Sequence, residues 1–508
     1  MKHTASIATT TLVLDHVPST PLYRQLYERV RSAILMGQLT AGTRLPSTRA
    51  LARELGVARN TVLLAYGQLL AEGYLESKVG YGTVVARTLP ETLLHIPGAD
   101  RHPPTPAQEQ GRHVPLSQRG MALAHAPFIS RQLLTAEGQP LMAFRPGIPA
   151  LDAFPQKLWA QIVARRVRHS LPQLFAYQDP AGYRPLREAI ASHLGMTRGV
   201  RGTADQVLIV AGTQGGLDLA ARLLLDPGDA AWIEDPTHPG PRGALLGAGT
   251  QLVPVPVDKE GLVVAAGIAR CPQARLAHVT PSHQAPLGVT LSLARRLALL
   301  QWARQQSAWI LEDDYDSEYR YAGRPLEALQ SLDHANRVIY IGTFSQVLFP
   351  ALRLGYLVVP PELVEAFMAA RRFVDRHVSA LEQAALADFM LEGHFTRHLR
   401  RMRTLYAERR ATFVAEIQHH LGDMLEIQPS EAGMHLVAWL PPGMDDQAAA
   451  RQAAAHGVDT IAISSCGMEP MQRGGLILGY AAVAEHEMRE GVRRLAAALH
   501  SLPATSRL

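Results

Sequence analysis

The stretch "QVLIVAGTQGGLDLAARLLL", Gln206 to Leu225, decides the fold. Val207 to Val210 form a short apolar run suited to a buried strand. The run stops at Ala211-Gly212, and the residues beyond carry apolar side chains at helical spacing. An apolar strand that feeds a helix through a Gly-rich turn offers the helix's first backbone N–H groups to a phosphate. Outward from there the alternation repeats, with "AAWIED", "RLAHVTPS", "AWILEDD" and "RVIYIGTF" each an apolar strand between helical stretches. That pattern, from about residue 141 onward, predicts an α/β domain with a largely parallel sheet.

At 508 residues the chain is too long for one core, so two or three domains are expected. Hydrophobic residues make up 47% and charged ones 19%, and no apolar run is long enough to span a bilayer. The first twenty residues lack a charged region followed by an apolar block, so no signal peptide is expected. Cys271 and Cys466 stand far apart without metal-ligand spacing, which fits buried thiols in a reducing cytoplasm. The charge surplus is local. Residues 21–87 hold nine Lys/Arg against four Asp/Glu, which accounts for the whole net charge of +5. A basic segment suits a polyanionic partner.

The segment 21–87 also reads as a compact helical module. Leu22, Leu26, Val30 and Ile34 make one apolar helical stripe. "LPSTRALARELGV" starts a second helix at Ser47, a good N-cap, and stops it at Gly56. After a short turn, "ARNTVLLAYGQLLAEGYL" makes a third helix, at helix-turn-helix spacing. "YLESKVGYGTVVA" then reads as a two-stranded wing. From Leu22 to Val85 these residues resemble the winged-helix domain of the GntR family of bacterial regulators. The resemblance implies double-stranded operator DNA as the partner, with contacts at Arg49, Arg59, Asn60, Thr61 and the wing residue Gly80. Arginine suits a phosphate or a guanine edge, and Asn and Thr at a helix start supply short polar groups. Leu63 and Leu64 are apolar where such helices often present polar side chains. Residues 88–140, rich in Pro and polar residues without steady periodicity, read as a linker, and residues 1–20 as a tail.

The ordered series "FRPGIPALDAFPQ", "YQDPAGYRPLREAI", "AGTQGG", "VTPSHQAPLG", "ILEDDYDSEYR" and "TFSQVLFPALRLGY" extends the resemblance over residues 141–508. It is similar to the fold-type-I, pyridoxal-phosphate-dependent aminotransferase-like domain that MocR regulators fuse to a winged helix. The implied fold class is α/β, an N-terminal winged helix-turn-helix plus that domain with its mainly parallel sheet. The implied cofactor contacts are Thr213, Gln214, Ser345 and Arg353 on the phosphate, Asp313 on the pyridinium nitrogen and Tyr315 on the ring hydroxyl. Tyr177 matches a tyrosine that reaches the neighbouring subunit's phosphate, which implies a homodimer.

Gln346 stands where the family has the lysine that joins the cofactor. Its amide nitrogen has a delocalised lone pair, forms no Schiff base and shuttles no proton. The other lysines, Lys2, Lys78, Lys157 and Lys259, match no active-site position. His238 replaces a frequent tyrosine on the stacking side, Ala285 opens "APLG" where many aminotransferases have Asn-Pro-x-Gly, and Ile477 lies near their carboxylate-binding arginine. The reading that follows is a cytoplasmic DNA-binding transcription regulator. Its second domain senses a small-molecule effector, with pyridoxal phosphate or an amine or amino-acid adduct held non-covalently. Two alternatives stand beside it: an active aminotransferase carrying a DNA module, and a dimer scaffold with a vestigial pocket.

Overall fold

The computed structural model describes residues 20–78, 81–88, 116–126, 143–169, 172–321, 323 and 326–502. They fall into two compact units, divided between residues 114 and 115.

In the first unit, helix α1 (Leu22–Leu35) buries Leu26, Val30 and Ile34 of the expected stripe. Helix α2 (Thr48–Glu54) begins where the Ser47 hydroxyl accepts the Ala50 N–H at 3.2 Å, and Gly56 follows its end in the left-handed conformation, φ +66°. Helix α3 (Arg59–Ala71) buries Val62, Ala65, Tyr66 and Leu69 against the other two. Strands β1 (Leu75–Lys78) and β2 (Gly82–Val85) pair antiparallel with Leu75 opposite Val85, so the wing is present. Its tip residue Gly80 lies outside the described residues.

The second unit is built on an eight-stranded sheet. Its strands are β3 (Val207–Val210), β4 (Ala230–Asp235), β5 (Gln251–Asp258), β6 (Gly261–Leu262), β7 (Leu276–Val279), β8 (Trp309–Asp314), β9 (Val338–Thr343) and β10 (Gly355–Val358). They lie in the order β3-β10-β9-β8-β7-β4-β5-β6. The pairs from β9 through β5 are parallel, as expected; β10 enters antiparallel between β3 and β9, and β6 is antiparallel to β5. A smaller antiparallel sheet follows, β11 (Glu426–Ile427), β12 (His435–Trp439), β13 (Ile461–Ala462) and β14 (Gly475–Gly479), in the order β11-β12-β14-β13. Cys271 and Cys466 are buried and unbridged.

The stretch read as an irregular linker contains an ordered helix, Gln118–Ala124, capped by the Ser117 hydroxyl accepting from Gly120 N at 3.0 Å. It belongs to the larger unit, where Leu123 and Arg119 lie over Gly247 and Gly249. Among the described residues no helix is long and apolar enough to cross a membrane.

Candidate functional site

The carboxyl ends of the parallel strands open on a cavity of about 380 Å³. Ligands of open α/β sheets bind at that edge, because the following helices begin there. Thr213, Gln214, Asp313, Tyr315, Ser345, Gln346 and Arg353 all line it, together with His238, Ala285 and Ile477. Tyr177 does not. It stands 80% exposed, with the Arg376 guanidinium 4.6 Å over its ring and His377 at its edge.

Local chain chemistry positions each group. The helix Gly212–Leu224 starts directly after β3, and Arg353 reaches it from the turn before β10, donating from Nη2 to Ala211 O at 3.1 Å. Arg353 is a non-glycine residue at φ +52°, a conformation that costs about a kcal/mol and aims the guanidinium at the helix start. A side chain on Gly212 would put its Cβ 3.2 Å from that guanidinium, so glycine leaves the room for it. Gln214 donates to Gly240 O at 3.0 Å, and Gly240 N donates to His238 Nδ1 at 3.1 Å, which fixes the His238 ring at the cavity wall. Ser345 N donates to the Thr343 hydroxyl at 3.1 Å.

Three consecutive acids end β8, and the strand's two-residue period sorts them. Asp314 is buried with Arg198 at 2.9 Å and accepts from the Tyr340 hydroxyl at 2.6 Å. Glu312 accepts the backbone N–H groups of Leu329 and Gln330 at 2.7 and 2.8 Å. Asp313 alone faces the cavity, with His278 Nε2 at 3.6 Å from its Oδ2. Burial and then the Asp314 charge push Glu312 up to about 7. In the unfolded chain a glutamate holds its proton only below about 4.3, so between these values the native state binds more protons. The contribution of Glu312 to stability is therefore greatest at the acid end of that window and is lost as pH rises through 7. Glu312→Gln should reduce the slope, by on the order of 2–3 kcal/mol over the window, in urea unfolding followed from pH 5 to 8, with Glu318, also raised to about 7 by desolvation, contributing the rest. An unchanged slope would show that Glu312 is ionised throughout.

The residues fit a pyridoxal-type phosphate. Asp313 Oδ1 is buried without a hydrogen-bond partner, as is Gln346 Oε1, so two polar groups at the cavity lack what a heteroaromatic ligand supplies. The wall includes a helix start with Thr213, the Ser345 hydroxyl and, against Ala211 and Gly212, the Arg353 guanidinium, the donor set that a phosphate dianion takes. Such a cofactor would bring an electron-withdrawing ring to the site. Lys157 and Lys259 are exposed and outside the cavity wall. Among the described lining residues Arg353 is the only Lys or Arg, and Ile477, also in the wall, has no charge to offer.

Fold and site together define a winged-helix protein carrying an aminotransferase-type domain. Residues 22–85 match the bacterial regulatory proteins of the gntR family, and residues 147–495 match aminotransferase class I and II. The chain is 44% identical to the probable rhizopine catabolism regulatory protein MocR of Rhizobium meliloti, over 98% of this chain and 97% of that one. It is 35% identical to the HTH-type transcriptional regulator TauR of Rhodobacter capsulatus, over 94% and 96%. The solved Pyrococcus horikoshii kynurenine aminotransferase, in complex with PMP, covers 72% of this chain and 93% of its own at 26% identity and a TM-score of 0.67. The chain belongs to the MocR type of GntR-family transcription regulators.

In the winged helix, Arg49, Arg59 and Asn60 are exposed and Thr61 is half-buried. Arg59 Nε reaches the Thr48 hydroxyl at 3.5 Å, which ties the start of α3 to the start of α2. Leu63 and Leu64 are 44% and 59% exposed on the outer face of α3.

The cavity also contains residues that the sequence reading did not select, notably His278, Thr237, Thr280, His435 and Cys466. The "PSHQ" motif was visible, but the work of its histidine, His283, becomes apparent only from its partners Asp316 and Tyr315.

Proposed function

We propose that this chain is a cytoplasmic, homodimeric DNA-binding regulator whose larger unit senses a pyridoxal-type phosphate without bonding to it covalently. Gln346 in the wall of a cavity that keeps Asp313, Tyr315, Ser345 and Arg353 is the observation that carries this reading. The phosphate and ring contacts remain, and the amine that would tether an aldehyde is gone. PMP, which the Pyrococcus enzyme holds, is itself an amine and needs no lysine to be retained. Ile477 gives an incoming carboxylate no cation, so amines without a carboxylate are the favoured adducts.

A dimer accords with the exposed aromatic surface around Tyr177. Phe175, Phe373 and Val374 are 64%, 92% and 54% exposed, and Arg376 from the same segment as Phe373 stacks on Tyr177. An apolar surface of this kind marks a protein contact. The effector acts by favouring one arrangement of the two winged helices, to the extent that it binds that arrangement more tightly.

Titration with pyridoxal and pyridoxamine phosphates, followed by absorbance and calorimetry with borohydride trapping and mass spectrometry, tests the reading. Saturable binding with no trapped adduct is expected, together with a change in operator affinity. A trapped adduct, or turnover of an amino donor with a keto acid, would replace it with the working aminotransferase.

For DNA, Arg49→Ala and Arg59→Ala should each weaken binding across all sequences. Each should also reduce the slope of log K against log salt by about one. A slope that stays constant while affinity falls would place these arginines on bases instead.

A further inference from the structure

Tyr315 does not stand alone at the cavity wall. Its hydroxyl lies 3.0 Å from His283 Nδ1, and the same Nδ1 lies 3.1 and 3.0 Å from the two carboxylate oxygens of Asp316. His283 and Asp316 are 3% and 1% exposed. The ring's other nitrogen, Nε2, is 3.4 Å from the Ser430 hydroxyl. Two glycines close the slot around it. A Cβ on Gly433 would sit 2.1 Å from His283 Cε1, and one on Gly288 3.0 Å from Nε2. Both glycines have positive φ, +87° and +73°, so neither position accepts a side chain on backbone grounds either.

These contacts assign the proton. An ionised carboxylate only accepts, so a ring nitrogen shared with both Asp316 oxygens carries the hydrogen. His283 Nδ1–H is therefore a donor, and the Tyr315 oxygen at 3.0 Å can only accept from it. The phenol's own proton is then left for the cavity. Burial first, then the Asp316 and Asp313 charges, hold the Tyr315 phenol well above its ordinary range, so that proton stays in place. Ala285, at the same wall, has no side-chain donor to share the task.

We propose that His283, oriented by Asp316, is a positioning residue that makes Tyr315 a committed hydrogen-bond donor to an anionic ring oxygen of the ligand. The inference rests on the cofactor reading for the identity of that oxygen, a phenolate on a pyridoxal-type ring. The tautomer itself stands on this chain alone. A donor that cannot turn into an acceptor stabilises the phenolate over the phenol, and so lowers the pH at which the bound ring hydroxyl ionises.

Two measurements test it. In the full-length protein with 15N-labelled histidine and no added ligand, an Nδ1–H resonance far downfield is expected, present in wild type and lost in Asp316→Asn and His283→Gln. Its absence in wild type overturns the proposal whether or not any cofactor binds. Second, the ring-hydroxyl ionisation of bound pyridoxamine phosphate is read from absorbance against pH. Tyr315→Phe should raise it by about one pH unit, a tenfold loss of phenolate. Asp316→Asn, nearly isosteric, removes the negative charge that holds the hydrogen on Nδ1, and an Nδ1 without hydrogen can accept the phenol's proton and draw it away from the cavity. It should reproduce the Tyr315→Phe shift, and the double variant should add nothing further. A shift in Tyr315→Phe with none in Asp316→Asn or His283→Gln would mean that the pair merely fills space, and would overturn the proposal. Failure of wild type to bind pyridoxamine phosphate would instead overturn the ligand reading, leaving the resonance to decide the tautomer.

Discussion

Replacing Gln346 by lysine is expected to turn the cavity from reversible binding to covalent capture of pyridoxal phosphate. Gln346 lies just past the end of β9, in the cavity wall, with its Oε1 buried and unpartnered. Removing the amide oxygen therefore breaks no hydrogen bond among the described residues, and a lysine there is one bond longer on the same path. An amine in a wall that also holds Asp313 and Tyr315 can condense with an aldehyde as the amide cannot. Borohydride treatment followed by mass spectrometry should find about one cofactor per chain in Gln346→Lys, against none in wild type. Pyridoxamine phosphate, being an amine, should bind both forms alike. A variant that folds and binds pyridoxamine phosphate, yet traps no pyridoxal phosphate, would show that residue 346 does not face the ligand's reactive carbon.

Arg353→Gln should have the second largest effect, on the phosphate alone. The guanidinium is the only Lys or Arg side chain among the described lining residues, and its place depends on a left-handed backbone and on the open space at Gly212. A charge-assisted hydrogen bond of this kind contributes about 1.5–3 kcal/mol, so affinity should fall roughly ten- to hundredfold. Lysine should rescue little, because a single ammonium cannot reproduce the planar fork. Calorimetry with pyridoxamine phosphate and with its dephosphorylated analogue separates the cases. Equal losses for both would mean that the variant disturbs the fold, and no loss for either would remove Arg353 from the phosphate site.

Much of this was legible because the contacts sit where one local element ends and another begins. "AGTQGG" announces a helix start after a strand, and "ILEDD" announces a strand end, so Thr213, Gln214 and Asp313 could be placed from their neighbours in sequence. The division of labour among Glu312, Asp313 and Asp314 follows from alternation, provided the strand is buried on both faces. Antiparallel β10 was less accessible: "GYLVV" reads as one more apolar strand, and nothing local states its direction. His435, Ile461 and Ile477 come from the smaller sheet, more than a hundred residues from Asp313, and approach the cavity only through tertiary packing. The His283 arrangement needs Asp316 from beyond β8, Ser430 and Gly433 from before β12, and Gly288 from its own loop, a meeting that no spacing rule encodes. The helix Gln118–Ala124 was hidden for the opposite reason, since seven residues are too few for a period to show.

The insertion of β10 between β3 and β9 has a consequence in time. Gly212 and Arg353, the two halves of the proposed phosphate site, are well over a hundred residues apart in the chain, and the pairing of β10 with β3 brings them together. Closing a loop of that length is among the slower steps available to a folding chain. On the proposed reading, a phosphate ligand meets both halves of its site only on the finished sheet. A ligand that binds there would latch the finished sheet, so its presence should retard unfolding far more than it hastens folding.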